Sequence, residues 1–129
     1  MQAQLDLLKQ ILLSREDIEF AVLVGSHASG TYTAASDWDI AIQLRRESSN
    51  YLDNLARMEN LRSDIGRSLG VVIDRVDLID VPSTKLAMRE NICQQGVVLT
   101  GGDSLPWFHF LQRTWRELED YYWNELYVA

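Results

Sequence analysis

Apolar residues recur along the chain with two different periods, and the switches between them predict the elements. Leu5, Leu8, Ile11 and Leu12 return at helical spacing, so residues 2–14 are predicted to form an amphipathic helix. IEFAVLVG is a short, continuous apolar run ended by Gly25, the pattern of a buried strand. SHASGTYTAAS is small and hydroxylated and reads as a loop with room for a short helix. DWDIAIQL then alternates, with Asp37, Asp39, Ala41 and Gln43 on one side and Trp38, Ile40, Ile42 and Leu44 on the other. That is a half-buried strand with both carboxylates on one face.

A longer helical stripe follows in Leu52, Leu55, Met58, Leu61, Ile65 and Leu69, with Gly70 placed to close it. VVIDRVDLIDV is predicted to be a third strand stopped by Pro82, after which Ser83 is placed to cap a helix reaching about Gln95. GVVLTGGD gives a short fourth strand, and residues from about Leu105 to Tyr127 a last helix with Pro106 in its first turn. Without repeats or low-complexity segments, this order predicts an α/β (α+β) fold in a single domain over residues 1–129.

Composition narrows the class. A 47% hydrophobic, 24% charged chain of 129 residues is expected to be soluble around one core. No stretch approaches the roughly 20 apolar residues of a membrane span. The N-terminal MQAQLDLLKQILLSRED has neither a basic lead nor a small-residue cleavage site, and the one cysteine, Cys93, suits a reducing compartment. A cytoplasmic location away from membranes is expected. A net charge of −7, from 12 basic and 19 acidic side chains with the basic ones scattered, argues against direct nucleic-acid binding and suits either a basic protein partner or plain solubility.

The chemistry concentrates in GSHASGTYTAASDWDI. Carboxylates at Asp37 and Asp39 stand about 7 Å apart along one strand face, close enough to converge on hard divalent cations. Magnesium is the natural candidate, because it takes few carboxylates and fills its shell with water and phosphate. His27 and His109 are too far apart in sequence to suggest a histidine metal site. Gly25 permits a tight turn, and Ser26 offers a hydroxyl and a main-chain N–H, features of a phosphate cradle. A third carboxylate on a neighbouring strand would complete a phosphoryl or nucleotidyl transfer site. The third predicted strand offers Asp74, Asp77 and Asp80; Asp77 sits in mid-run between Val76 and Leu78, where a charge needs a purpose, and is the choice.

At these residues the chain resembles the polymerase-beta-like nucleotidyltransferase superfamily, whose signature is Gly-Ser, ten residues, Asp-x-Asp and a later strand aspartate. Here it stands as Gly25-Ser26, the spacer His27 to Ser36, Asp37-Trp38-Asp39, and Asp77 in RVDLID. Over about residues 5–100 the chain looks most like the minimal nucleotidyltransferases. The resemblance implies a mixed sheet of about four strands flanked by helices, with Asp37 and Asp39 binding two magnesium ions. It further implies that Asp77 binds one of them and helps to deprotonate the acceptor, and that Gly25 and Ser26 lie on the nucleotide phosphates. Members of this group are paired with a HEPN ribonuclease toxin, and the implied activity is transfer of AMP from ATP to a tyrosine of that toxin. Two rivals are an antitoxin that neutralises its partner merely by covering it and nucleotidyl transfer to a small molecule, the latter disfavoured because the chain offers no second domain to hold one.

Other residues carry weaker expectations. Eight of the chain's twelve aromatics fall after residue 106, which divides evenly between a core-covering helix and a partner-binding surface. Trp38 is expected in the core. Ser36 is either a hydrogen-bonding group near the metal site or a turn residue, His27 a phosphate contact or an exposed loop histidine, and Tyr32 a residue that could stack on the base. Lys85 and Arg89 are equally phosphate contacts or surface charges.

Overall fold

The fold is described from a computed structural model covering residues 2–47 and 50–127. Strand β1 (Ile18–Val24) lies at its centre: Phe20 to Val24 are buried, and both edges are paired, antiparallel to β2 (Trp38–Leu44) and to β4 (Val97–Thr100). β3 (Val76–Asp80) runs parallel to β2, giving a mixed sheet in the order β3-β2-β1-β4.

Side chains alternate across this sheet, and each face has its own helices. Helices α1 (Gln2–Leu13) and α3 (Tyr51–Leu69) cover one face, where Leu8, Leu12, Leu61 and Ile65 pack on Leu23, Trp38, Ile40 and Ile42. Helices α4 (Leu86–Gln95) and α5 (Leu105–Tyr127) cover the other, where Ile92, Trp107 and Phe110 meet Phe20, Val22 and Ala41. Ion pairs staple the layers at their margins. Arg15 bonds Asp64, Arg57 reaches Asp17 at 3.1 Å, and Arg89 joins α4 to α5 through Glu117 at 2.6 Å.

The ends of the elements depart from the sequence reading in two places. The third strand begins at Val76, five residues later than the apolar run suggests. Gly70, at φ 69°, closes α3 with bonds from its own N–H to the Arg67 carbonyl and from the Val71 N–H to the Gly66 carbonyl. The chain then needs a 3-10 turn at Ile73–Arg75 to re-enter the sheet. Ser83 caps no helix either. Pro82 seeds a second 3-10 turn over Val81–Ser83, the Ser83 hydroxyl donates to Asp80 Oδ2 at 2.9 Å, and α4 starts at Leu86 after Lys85. Among the described residues, no helix is long and apolar enough to cross a membrane.

Candidate active site

Backbone register assembles the carboxylates. Val24, the last residue of β1, pairs with Asp39 of β2, and Asp39 stands opposite Asp77 of β3. Aligned residues on neighbouring strands project from the same face, so Asp39 and Asp77 are side by side although far apart in sequence. Asp37 sits just ahead of β2 and is exposed, whereas Asp39 is half-buried. Asp77 is exposed too, on an edge strand rather than inside the core that its apolar neighbours suggested. Asp74 and Asp80 lie elsewhere, Asp74 in the 3-10 turn within 3.9 Å of Arg62 and Asp80 bonded to Ser83.

The crowding has an electrostatic consequence. Burial pushes the Asp39 carboxyl above its ordinary range, the neighbouring charges of Asp77 and Asp37 push it further, and a hydrogen bond with the Asp77 carboxyl adds to the shift against the opposing influence of His27. Such a cluster stores repulsion that a bound cation relieves. Among the described residues no group of three or more ligating side chains is preassembled as a metal cage. The donors are nonetheless all hard carboxylate oxygens in the small number that magnesium takes, so their chemistry fits that ion.

Gly25 forms the floor of the site. It opens α2 (Gly25–Ser29) at φ 72°, a conformation that side chains disfavour. A Cβ there would also collide with Asp39 Oδ2 and come within 3.2 Å of its Cγ. The glycine turn and the carboxylate therefore fit together only with a hydrogen between them, and Ser26 follows Gly25 directly in α2.

His27 has a place that neither sequence expectation gave it. It is buried, its ring stacks on Trp38 at 3.9 Å and under Tyr32 at 5.2 Å, and its Nδ1 donates to the Asp37 carbonyl at 2.9 Å. The histidine thus ties the glycine turn to the segment carrying the aspartates. Its local signal is one residue among small ones, and the partner ten positions on shows only in three dimensions. Tyr32 is occupied with this stack, and Trp38 is core as expected, at 3% exposure.

The Ser36 hydroxyl accepts from the Thr33 N–H at 2.8 Å, within the loop ahead of β2. Arg89 is taken up by Glu117, and Lys85 is exposed at the start of α4. Arg75, which the sequence reading passed over, donates to the Ala34 carbonyl at 3.3 Å and pins the loop from the side of β3.

The family model for polymerase beta nucleotidyltransferases matches residues 6–104, a span that contains every part of this site. The chain belongs to that family. A comparison with curated proteins finds no match. Among solved structures, this nucleotidyltransferase is similar to a toxin–antitoxin complex crystallised with AMP-PNP, at 24% identity and a TM-score of 0.71 over 96% of this chain and 94% of the other. It is also similar to the toxin–antitoxin MntA-HepT, at 22% identity and a TM-score of 0.65 over 99% and 95% of the two chains. A third likeness is to a tri-AMPylated HEPN toxin of Shewanella oneidensis in complex with its MNT antitoxin, at 22% identity and a TM-score of 0.60 over 97% and 94%. The shared fold extends over the nucleotidyltransferase's whole described length.

Proposed function

We propose that this chain is a cytoplasmic antitoxin that transfers AMP from ATP to a tyrosine hydroxyl of a HEPN ribonuclease toxin and so neutralises it. The observation that carries the proposal is the register of Asp39 with Asp77 beside Asp37, set against a glycine turn that admits no side chain. Family membership supports the transfer chemistry, and the similarity to complexes holding AMP-PNP or an AMPylated toxin supports the nucleotide and the acceptor.

Asp37 and Asp39 would hold two magnesium ions, and Asp77 would hold one of them. When bound, the metal neutralises phosphate charge and stabilises the entering and departing oxygens. Gly25 brings backbone close to the phosphates, Ser26 donates to them, and Ser36, whose hydroxyl accepts from the Thr33 N–H, holds the loop on the nucleotide side. Asp77 orients the acceptor hydroxyl and takes its proton. A bond forms between the tyrosine oxygen and the α-phosphorus while the bond from that phosphorus to the bridging oxygen breaks, and pyrophosphate leaves with the electron pair.

The test follows the label. ATP labelled at the α-phosphate is expected to mark the partner protein, ATP labelled at the γ-phosphate is not, and Asp39→Asn is expected to reduce marking by a factor of about 10³ or more. Labelling from the γ-phosphate, or an Asp39→Asn variant within a few-fold of the parent, contradicts the proposal. A second reading, neutralisation by covering alone, draws on the exposed Tyr121, Trp123, Leu126 and Tyr127 near the end of α5. It requires that Asp39→Asn still neutralise the partner in cells.

A further inference from the structure

The open edge of β3 borders a groove of about 740 Å³ whose other wall is α3. Asp77 is the member of the carboxylate set that lines this groove; Asp37 and Asp39 do not. We infer that the groove is the docking site for an extended, acidic segment of the acceptor polypeptide. The inference rests on the proposed transfer reaction, in which Asp77 faces the acceptor hydroxyl.

Four observations point to that occupant. The first is the order of parts across the sheet: the glycine turn at the end of β1, Asp39 on β2 with Asp37 just ahead of it, Asp77 on β3, then the open edge. Attacking and leaving oxygens lie roughly in line through the phosphorus. With pyrophosphate departing toward the β1 turn, the hydroxyl arrives from beyond Asp77, where the groove begins.

The second is the backbone. Arg62 Nε donates to the Val76 carbonyl at 2.7 Å from the α3 side, which shows that Val76 turns its polar groups outward. Every second residue of a strand does the same, so Leu78 presents its N–H and C=O to the groove, where an extended peptide can pair with them, before Asp80 ends the strand and leads into the 3-10 turn. The third is the opposite wall. Tyr51 is 74% exposed and Leu55 45%, although both continue the apolar stripe of α3. Among the described residues no element covers this end of the helix.

The fourth is charge. Arg45 and Arg46 line the far end of the groove, and neither pairs with a carboxylate among the described residues. Of the three carboxylates that line the groove, Glu59 pairs with Arg62 at 3.3 Å, Asp80 accepts from the Ser83 hydroxyl, and Asp77 belongs to the proposed metal site at the other end. In a chain of net charge −7, two unpaired guanidiniums at one end of an open strand favour an acidic ligand. Arg45 lies six positions beyond Asp39 (39 to 45), about 20 Å at 3.3 Å per residue. An extended occupant covers that span in about six residues, and the length of an arginine side chain takes up as many as two of them, so the acidic residues of the occupant fall four to six positions from the acceptor tyrosine.

The probe is a fluorescein-labelled peptide with a central tyrosine and aspartates four to six positions to either side, beside a version with lysines in their place. By anisotropy the full-length protein is expected to bind the aspartate peptide at least about tenfold more tightly than the lysine peptide, and Arg45→Glu/Arg46→Glu to reverse that order. Equal affinities, no binding of either peptide, or a folded double variant with unchanged preference overturns the docking site. Incubation of the same mixture with MgATP separates the two claims. Charge-dependent binding without AMP on the tyrosine supports the groove and counts against the transfer reaction, whereas AMP transfer that ignores the peptide charges supports the reaction and overturns the groove.

Discussion

Asp39 is held where the metal-free protein would do better without its charge. Its carboxyl is raised above the ordinary 3.8 by burial first and by Asp77 and Asp37 next. A carboxyl whose folded value exceeds its unfolded one favours the fold only while protonated. Stability is therefore lost as pH rises from about 3.8 through the raised value, and the full penalty is present at neutral pH. Asp39→Asn is accordingly expected to raise the melting temperature of metal-free protein at pH 7 by a few degrees, with the gain closing below pH 3.8 in thermal melts. A lower melting temperature at pH 7 contradicts that account. Gly25→Ala tests the other half of the fit. Beside Gly30→Ala, which has the same positive φ but nothing within 4 Å of an added Cβ, it is expected to lose about 1–3 kcal/mol more in urea titrations, because Asp39 must move. At this scale the sequence already displayed Gly25, Asp37 and Asp39, since their spacing is local. Asp77 was reached through the cost of a buried charge, yet the structure leaves it exposed. What recommends it is register with Asp39, which no local pattern contains. The place of His27 depends on the same long-range geometry.

The elements were legible wherever one apolar period ran uninterrupted. β1 and β2, with the switch to the helical stripe of α3, follow from burial on one or both faces. The errors fall where a turn competes with an apolar run: Val72 and Ile73 have strand-like side chains, but once α3 closes at Gly70, Val72 caps and Ile73 opens a 3-10 turn. Ser83 illustrates the same competition, its hydroxyl held by Asp80. Arg89, with 14% of its side chain exposed, shows how an equivocal surface cation becomes a strut once α4 and α5 are brought together. Glu117→Gln is expected to cost on the order of 1 kcal/mol, little because Glu117 itself is partly solvated, and to leave nucleotide transfer within twofold. Chemical denaturation and a transfer assay on the same variant check both statements. A large loss of activity would return Arg89 to the phosphate contact that was one of its two expectations.

On the scale of the molecule, two surfaces lie outside the packing. One is the β3 edge with its groove. The other is the end of α5: Leu118 is its last buried residue, and Glu119 to Tyr127 are exposed, with Tyr122 bonded to Glu90 at 2.9 Å on the surface. The aromatics after residue 106 thus divide, Trp107 and Phe110 into the core and Trp115, Tyr121, Trp123 and Tyr127 outward. Deleting residues 120–129 is expected to change the melting temperature by no more than a few degrees while weakening partner association about tenfold or more, as calorimetry and titration would show. A collapse in stability would make the segment structural instead. The crowded aspartates are proposed as a working AMP-transfer site directed at a protein. Intact mass spectrometry of the HEPN partner, incubated with MgATP and either this protein or its Asp77→Asn variant, tests it most directly. One or more added AMP units with the parent, and none with the variant, is the result expected. An unmodified partner held in a stable complex by both proteins would contradict it.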